Sequence, residues 1–580
     1  MSSLFSSATL FLIGAPFLVS VIGLSGLQSS PQKMRRLSLA AAGLAFLSAL
    51  VLAVGVVHQG TVDQIWGIIG NPSSFHFSVG VYVDRLSLLS VLLITSIGFV
   101  VQKYSVRYLD GDQRQGRFFT WLSFVLFSVT LFVISRNLLA LTLSWFLVSS
   151  GVHRLLLHFP ERESAQKAAW RKFVISRIGD TALVAALVLT YTVFGTFEFR
   201  DIFEIVRTHG AWDPISVLGW SLNPAALVGS LYVIGAMTKS AQFPFHIWLP
   251  DTMETPTPVS ALMHAGIINA GGFLIVRLSP IVSHASFALH VLFAVGAVTA
   301  FFGGLIYLVQ TDIKRSLAFS TIGQMGYMMM QCGLGAFSAA VLHVVMHGFY
   351  KANAFLSAAG NIDHSPFIPK TGGESKKLPP LSKFPAALIS MALLVGSVVL
   401  MKVDLAQKPG GFFLAIFLWV ASTQFIGTAL SVKGSFKSIS SLSMLTFLGM
   451  CVYWTALDGI GAFLAPVLDP EGLEPMVTEL SPVLVTIVGF IFVIAYLLVE
   501  VARSQPDQKW ARKWYVLCLN HFYIEQIWQK MVSKVLGRSR LMPSFETMAI
   551  QKKYRNQQLK SQDKEEILCL PKTLKRQEER

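Results

Sequence analysis

Charged residues are scarce in this chain. They make up 13% of its 580 residues, whereas soluble globular proteins have about 25%. Hydrophobic residues reach 53%, and the mean hydropathy is +0.58. These values exclude an ordinary water-soluble domain and predict an integral membrane protein that lies in a lipid bilayer.

Recognisable catalytic motifs are missing as well. The sequence has no phosphate-cradling glycine loop, no nucleophile elbow and no cluster with the spacing of zinc ligands. Its cysteines are far apart in the chain, at Cys332, Cys451, Cys518 and Cys569. We therefore expect a transporter subunit rather than an enzyme, with no cofactor or metal bound by this chain.

Long apolar runs, in contrast, are frequent. About fifteen segments approach the roughly 20 residues that cross a bilayer, and they do not alternate as the strands of a membrane barrel do. They begin near Leu4, Leu37, Val81, Phe118, Leu138, Arg171, Pro224, Thr257, Ser286, Asp312, Ala336, Ala386, Gly411, Ser440 and Ser481. The predicted fold is all-α, a polytopic bundle of about 15 transmembrane helices.

The basic residues are distributed unevenly between the loops. A net charge of +16 is compatible with nucleic-acid binding, but one set of alternate loops has 19 Lys and Arg against 7 in the other. Lys172 counts in the first set and Arg277 in the second. The positive-inside rule then predicts an outside N-terminus, a cytoplasmic C-terminus and no nucleic-acid partner.

The composition changes near the end of the chain. We expect a membrane domain over residues 1–502 and a basic cytoplasmic tail over residues 503–580. The stretch DQKWARKWYVLCLNHFYIEQIWQKMVSKVLG mixes aromatic and basic residues, which is typical of a helix on the membrane surface or of a docking segment. The last stretch, KKYRNQQLKSQDKEEILCLPKTLKRQEER, is dense in charge and is expected to be mobile.

Lys239 stands within an apolar run, YVIGAMTKSAQF, and Pro244 follows shortly after it. A lysine inside the membrane costs at least ~2.5 kcal/mol on insertion scales and needs a partner or a water cavity. Proline removes a helix hydrogen bond, and such broken helices line polar cavities in transporters. Lys239 is thus a candidate proton carrier, and a structural lysine that extends to the surface is the alternative.

Three ionisable residues recur at intervals of four. His343, His347 and Lys351 share one helix face, an arrangement that suits a proton relay through bridging water. Interhelical hydrogen bonding is the alternative interpretation. A metal site is less favoured, since no carboxylate or cysteine accompanies the three residues.

Further candidates are isolated or paired. His264 stands alone among small residues, as packing histidines commonly do. Lys314 lies near a helix start, from which its side chain can also reach the surface. Arg177 and Asp180 are three residues apart and are predicted to pair on one helix face, which would also bias the field at a nearby lysine.

Three stretches resemble the antiporter-like subunits of respiratory complex I and of multi-subunit cation/proton antiporters. They are KSAQFPFHIWLPDTMETPTPVSALMHAGIINAGGFLI, QTDIKRSLAFSTIGQMGYM and HVVMHGFYKANAFLSAAG, and the resemblance extends roughly from Val81 to Ile362. It implies two inverted five-helix repeats, each with a broken helix. It also implies an ion pathway along a hydrated axis, formed by Lys239, His264, Lys314, His343, His347 and Lys351.

The chain departs from the pumping members of this family at two places. Those members have a glutamate directly after the tryptophan of the fifth helix, where this chain has Phe146 after Trp145. They also have a Gly-Phe-Phe-Ser-Lys-Asp motif in the second broken helix. The corresponding segment here lacks it and offers only Lys402, at a displaced position.

Two further stretches, QKYSVRYLDGDQRQGRFFTWL and VHRLLLHFPERESAQKAAWRKFVISRIGD, resemble the DabB family of inorganic-carbon transporter subunits. That resemblance implies a bacterial inner membrane, translocation of H+ or Na+, and a DabA-type peripheral partner with a carbonic-anhydrase-like zinc site. The alternatives are a proton-pumping subunit of an NADH-quinone oxidoreductase, a subunit of a cation/proton antiporter, and a membrane anchor that transports nothing.

Overall fold

The structure is a computed structural model that describes residues 2–70, 76–209, 215–217, 220–360, 384–405, 410–431, 436–468, 482–505 and 507–535. It divides into two units, Met1–Leu519 and Asn520–Arg580. The charge-rich stretch over residues 552–580, which we expect to be mobile, lies outside the described residues.

Helices dominate the first unit. Its N-terminal half contains α1 Ser2–Leu24, α2 Pro31–Gln59, α3 Arg85–Tyr108, α4 Gln115–Val133, α5 Leu138–Leu156, α6 Glu163–Phe194, α7 Phe199–His209 and α8 Pro224–Lys239. Next come α9 Trp248–Asp251, α10 Thr257–Ala265, α11 Ala270–Arg277, α12 Ser279–Val282, α13 Ser286–Tyr307, α14 Ile313–Gly333 and α15 Phe337–Gly360. The last are α16 Phe384–Leu400, α17 Gly411–Ser431, α18 Phe436–Leu464, α19 Pro482–Ser504 and α20 Lys509–Leu519.

Polar residues fix where several of these helices begin. The side chain of Asp84 accepts a hydrogen bond from Ser87 N at 2.9 Å at the start of α3, and Asn137 accepts one from Ala140 N at 2.8 Å at the start of α5. Asp312 does the same at the start of α14. These caps satisfy backbone N–H groups that have no partner within the helix.

The length of the helices and the apolar side chains on their outer faces indicate that the protein lies in a membrane. In the described part of the chain, ten helices of 18 residues or more are apolar enough to cross a membrane. Large apolar side chains such as Leu47, Met346 and Val399 remain 59–70% exposed on the outer faces. A water-soluble protein would bury such side chains, so the structure agrees with a multi-pass membrane protein.

Most of the predicted helix starts lie within about a turn of a helix start in the structure. The largest differences are at Leu37, six residues after the start of α2, and at Arg171, eight residues after the start of α6. Val81 belongs to a strand, and the helix predicted to start near it begins at Arg85 after the Asp84 cap. The number of membrane crossings and the two inverted repeats stay predictions.

The chain is mostly helical, as predicted, and its described residues also contain two short antiparallel hairpins. Strands β1 Val62–Gly70 and β2 His76–Val83 form an antiparallel hairpin, and β3 Ile215–Val217 pairs with β4 Trp220–Leu222. β1 and β2 are rich in β-branched and aromatic residues, which suit a pleated surface better than a helix. The sequence analysis searched for long apolar runs and did not predict these short hairpins.

Two helices are interrupted near the middle of the first unit. α8 ends at Lys239, and a turn with Ala241 at φ 48° separates it from the next helical turns, so the predicted break before Pro244 is confirmed. The second interruption lies between α10 and α11, where residues Ile267–Asn269 form a 3-10 turn. The sequence analysis did not predict the second break.

The tail is helical over part of its length. α20 belongs to the first unit, with Trp514 and Tyr515 about half exposed, at 47% and 49%. In the second unit the 3-10 turn His521–Tyr523 precedes α21, which spans Ile524–Val535. The helical form is consistent with an interfacial or docking role, which stays a prediction, as does the domain boundary at residue 502.

Candidate functional site

Lys239 is the last residue of α8 and points into the protein. Its side chain is buried, and Nζ donates to Ser149 Oγ at 2.6 Å and to Trp145 O at 3.3 Å, both on α5. Nζ also lies 4.3 Å from the centroid of the Trp145 ring, close enough for a cation–π contact. The amine of Lys239 is therefore held inside the bundle and does not extend to the surface.

The backbone around Lys239 allows this position. A Cβ on Gly179 of α6 would collide with Thr238 Oγ1, so glycine is what lets α6 approach α8 beside Lys239. The backbone N–H of Phe243, freed by the break, donates to Thr299 Oγ1 at 2.9 Å. The broken helix is thus stabilised by side chains of its neighbours, as a break within a membrane requires.

The two helix breaks touch each other. Ser240, the residue after Lys239, donates through Oγ to the carbonyl of Ile268 at 2.6 Å. Ile268 lies in the 3-10 turn that separates α10 from α11, directly after His264 and its small neighbours. This hydrogen bond, from a side-chain hydroxyl to a backbone carbonyl, joins the surroundings of Lys239 to those of His264.

Arg177 and Asp180 form the predicted ion pair, with 2.5 Å between Arg177 Nη2 and Asp180 Oδ2. The other carboxylate oxygen, Oδ1, accepts a hydrogen bond from the indole N–H of Trp145 at 3.0 Å. The same indole ring faces Lys239. Asp180 and Lys239 therefore contact one aromatic side chain, and the influence of Asp180 on the field at Lys239 remains a prediction.

His264 is fully buried at the C-terminal end of α10. Its Nδ1 lies 3.1 Å from Thr321 Oγ1 of α14, and its ring stacks on Phe355 of α15 with 4.5 Å between centroids. Among the described residues, its Nε2 has no hydrogen-bond partner. A buried polar atom of this kind is normally satisfied by water.

The stripe on α15 is present as the spacing predicts. His343 and His347 have ring centroids 5.7 Å apart, and Lys351, fully buried, donates through Nζ to Leu317 O at 3.2 Å. Within the described part of the chain, neither ring nitrogen of His347 has a hydrogen-bond partner. His264, His343 and Lys351 are all close enough to act electrostatically on His347.

A close helix contact brings α15 to α10. A Cβ on Gly348 would lie 2.9 Å from Ala265 O, so the absence of a side chain lets the two helices meet directly beside His347 and His264. The structure thereby gathers His264, His343, His347 and Lys351 into one group, which we call the histidine cluster.

Lys314 lies outside the histidine cluster. It is the second residue of α14 and is half-buried. The residues of α14 that contact the cluster are Leu317, which accepts from Lys351, and Thr321, which contacts His264. Residues 314, 317 and 321 share one helix face, so Lys314 is at the end of a line that leads to the cluster.

Two residues were assigned to loops by the charge count, and the structure corrects both. Lys172 is buried within α6 and donates through Nζ to Ser149 O at 2.6 Å. Arg277 is buried at the end of α11 and binds Asp84 through two hydrogen bonds of 2.5 and 2.8 Å. Counting charges along the sequence cannot distinguish a loop residue from one inside a helix.

A signal for Lys172 is present in the sequence. Lys172 is followed at intervals of four by Ser176 and Asp180, the same spacing that identified the stripe on α15. The structure places Lys172, Ser176, Ser149 and Lys239 around one cavity of about 10 Å³. That volume is about what one water molecule needs.

The structure shows where the two positions lie at which this chain departs from the pumping members of the family. Phe146 is half-buried on α5 directly after Trp145. Lys402 is exposed and follows the end of α16 with φ 52°, so it does not take part in the histidine cluster. Among the described residues, no group of three His, Cys, Asp or Glu is arranged to hold a metal ion.

Comparison with known families identifies two matched regions. Residues 135–396 match the family described as NADH:quinone oxidoreductase/Mrp antiporter, TM. Residues 69–119 match the family described as NADH-Ubiquinone oxidoreductase (complex I), chain 5 N-terminus. The two regions together contain every candidate pathway residue named above.

Curated relatives come from two groups. A probable inorganic carbon transporter subunit DabB1 of Halothiobacillus neapolitanus is 39% identical over 356 residues, 59% of this chain and 63% of that protein. The chloroplastic NAD(P)H-quinone oxidoreductase subunit 5 of Piper cenocladum is 37% identical over 359 residues, 59% of this chain and 46% of that protein. The chain thus matches about half to two-thirds of the length of these relatives.

Solved structures share the fold. A chain of the Mrp complex from Dietzia sp. DQ12-45-1b matches 96% of this chain and 60% of its own length, with a TM-score of 0.55 and 21% identity. A chain of the archaeal membrane-bound sulfane sulfur reductase matches 88% of this chain and 99% of its own length, with a TM-score of 0.55 and 19% identity. This chain is a multi-pass membrane protein that belongs to the antiporter-like superfamily of complex I and Mrp antiporter subunits.

Proposed function

We propose that this chain is the proton-translocating membrane subunit of an energy-coupled inorganic-carbon uptake complex, which it forms with a DabA-type peripheral subunit. The observation that carries the translocation part is the buried Lys239 amine at the end of a broken helix. Ser240 and Ile268 connect its surroundings to the histidine cluster. A membrane protein gains no stability from a row of buried ionisable groups, so a transport role explains their presence.

The chemistry of the row favours H+ over Na+. Amines and imidazoles exchange protons reversibly, whereas hard metal cations prefer carboxylate, carbonyl and water oxygens. Asp180 is already paired with Arg177, and lysine ammonium groups nearby repel a metal cation. Na+ transport is therefore the less favoured alternative, and flux measurements with each ion separate the two.

The pathway would operate as a relay in which Lys239 is the group that gains and loses the proton. The ring nitrogens of His347 and the Nε2 of His264, which have no protein partner among the described residues, would exchange protons through bridging water. Lys351 would be the next proton carrier, and Lys314 would lie at the end of the line along α14. Each transfer leaves the donor one proton poorer and the next group one proton richer.

Asp180 offers a substitute for the glutamate that Phe146 replaces. Its carboxylate contacts Trp145 from the side of α6, while Lys239 contacts the face of the same indole. A negative charge near Lys239 stabilises the protonated amine and lowers the cost of bringing a proton into the bundle. The pathway would thus retain a carboxylate near Lys239, supplied by Asp180 of α6 instead of by a glutamate of α5.

The ion gradient would supply the energy for carbon uptake. One charge that moves down about 100 mV releases ~2.3 kcal/mol. That is enough to shift a hydration equilibrium about fiftyfold. The hydration of carbon dioxide would take place on the peripheral partner, where a zinc site would supply the activated water, while this chain would supply the gradient-driven step.

The 39% sequence identity to the inorganic carbon transporter subunit DabB1 supports the proposed role in inorganic-carbon uptake. The location would be the bacterial inner membrane, with the N-terminus outside and the C-terminus in the cytoplasm, because the basic loops favour that orientation.

The 37% identity to an oxidoreductase subunit favours a second candidate function, that of a redox-coupled proton pump or cation antiporter subunit. A membrane anchor without transport is the third.

The test uses cells that lack carbonic anhydrase and grow only at raised carbon dioxide. Expression of the full chain with a DabA-type partner should restore growth in air and uptake of labelled bicarbonate, and an uncoupler should abolish both. Lys239→Ala should remove uptake while the two proteins still copurify. Lys402→Ala is the matched control, since it removes an exposed lysine outside the pathway.

Each other outcome excludes a part of the proposal. Failure to restore growth when the partner is expressed and bound would favour the pump or antiporter assignment. Growth that resists the uncoupler would contradict coupling to an ion gradient. Normal uptake by Lys239→Ala would refute the role of Lys239.

A further inference from the structure

Lys172 and Lys239 are two buried lysines held by the same residue. Lys172, on α6, donates to the backbone oxygen of Ser149, and Lys239, on α8, donates to its hydroxyl, each at 2.6 Å. Both side chains are at most 6% exposed. Three helices thus bring two amines together around one residue of α5.

The surroundings of the pair contain too little negative charge for two protonated lysines. The charged groups that act on Lys172 are Lys239, Asp180 and Arg177. Asp180 is the one carboxylate of this set and already binds Arg177. With both lysines protonated, the group would contain three positive charges and one negative charge, and like charges in a protein interior repel strongly.

The position of Lys172 lies between Lys239 and the α5–α6 loop. It is about 13 Å along α6 from Glu163, the first residue of the helix, at roughly 1.5 Å per residue. His153 is one turn beyond Ser149 on α5, in the direction of the same loop. Among the described residues, Nδ1 of His153 has no hydrogen-bond partner, and Lys172 acts on this ring electrostatically.

We propose that Lys172 is a second proton carrier of the pathway, which shares one proton with Lys239 and connects it to the side of the α5–α6 loop. The inference rests on the proposed proton-translocating function. It assigns a transfer role to a residue that the loop-charge count had placed outside the membrane.

The transfer needs one water molecule in the cavity that both lysines line. An N–H bond of the Lys172 ammonium breaks as its proton binds the water oxygen, and an O–H bond of the same water breaks as its proton binds the neutral amine of Lys239. The products are neutral Lys172, protonated Lys239 and unchanged water. The cavity of about 10 Å³, lined also by Ser149 and Ser176, has room for about one water and oxygens to hold it.

Lys172 also has a structural contact, and the experiment separates that role from proton transfer. Lys172→Arg keeps a positive charge and a donor for Ser149 O, but arginine does not release its proton in proteins. Lys172→Met removes both the charge and the proton and keeps much of the side-chain volume. Lys167→Met, five residues earlier on α6, is the control, because Lys167 pairs with Glu163 and is 36% exposed.

The measurement is proton flux driven by an imposed membrane potential in vesicles of phosphatidylethanolamine and phosphatidylglycerol that contain the full-length chain with its copurifying subunits. Lys172→Met and Lys172→Arg should each lower the flux about a hundredfold, the lower end of what a positioned proton donor contributes. Lys167→Met should resemble the wild type. Thermal melting of the purified variants verifies that they are folded.

The outcomes distinguish this inference from the function on which it rests. Proton flux in the wild type that Lys172→Met retains would overturn the role of Lys172 and leave the proposed function intact. Flux retained by Lys172→Arg but lost in Lys172→Met would reduce Lys172 to a fixed charge and overturn proton transfer. Absence of flux in wild-type vesicles would refute the proposed function itself, and the inference with it.

Discussion

The indole N–H of Trp145 allows a test of whether Asp180 acts on the proposed pathway. Trp145→Phe keeps an aromatic ring under Lys239 and removes the hydrogen bond of 3.0 Å to Asp180 Oδ1. A hydrogen bond to a charged group contributes ~1.5–3 kcal/mol. Since ~1.4 kcal/mol corresponds to a factor of ten, the flux should fall roughly 10- to 100-fold if this bond positions Asp180 for transport.

A double-mutant cycle isolates the interaction. In the Asp180→Ala background the indole N–H has no carboxylate to bind, so Trp145→Phe should cost little further flux. The control is Trp419→Phe, which removes an indole hydrogen bond of the same 3.0 Å length, to Ala387 O between α17 and α16. The assay is proton flux into vesicles with an internal pH dye. Equal flux in Trp145→Phe and wild type, or additive losses in the cycle, would refute the reasoning.

Three further predictions concern the cluster, the core and a loop. His347→Phe keeps a ring but removes both nitrogens and should lower proton flux about a hundredfold, as a vesicle assay will measure. Arg277→Met leaves the buried Asp84 carboxylate unpaired and should cost ~3–5 kcal/mol of unfolding free energy, while the double variant with Asp84→Leu should cost less. Burial lowers the pKa of His158 despite its hydrogen bond to Asp112, so the fold favours neutral His158. Its stability contribution should be complete above the unfolded pKa of about 6.5 and decline as pH falls below it, which His158→Phe should suppress in melting curves at pH 5 to 8.

Much of the arrangement of the candidate pathway residues can be predicted from the sequence because the signals are local. Lys239 is conspicuous as a lysine inside an apolar run, and the spacing of His343, His347 and Lys351 determines that they share a helix face. The break after Lys239 follows from Pro244. Such features need only the chain within one or two helical turns, which a sequence displays directly.

What could not be predicted depends on contacts between distant parts of the chain. The partner of Lys172 is Ser149, and that of Arg277 is Asp84, 193 residues away. No local pattern indicates such pairs, and a loop-charge count assigned both basic residues to loops. The second helix break, at Ile267–Asn269, contains no proline and is held by its contact with Ser240.

The hairpin of β1 and β2 shows a different limit. Its second strand ends in the apolar residues Val81, Tyr82 and Val83 just before α3, so hydropathy alone extended the α3 prediction back to Val81. Asp84 decides the boundary, because its side chain caps the first turn of α3 and binds the buried Arg277. The same carboxylate thus ends the strand region and starts the helix.

The most direct test of the account is proton flux through the full-length chain and its copurifying subunits, reconstituted in vesicles with an imposed membrane potential. The account predicts acidification or alkalinisation that follows the sign of the potential and is lost in Lys239→Ala but kept in Lys402→Ala. Equal flux in wild type and Lys239→Ala would contradict the claim that Lys239 carries the proton.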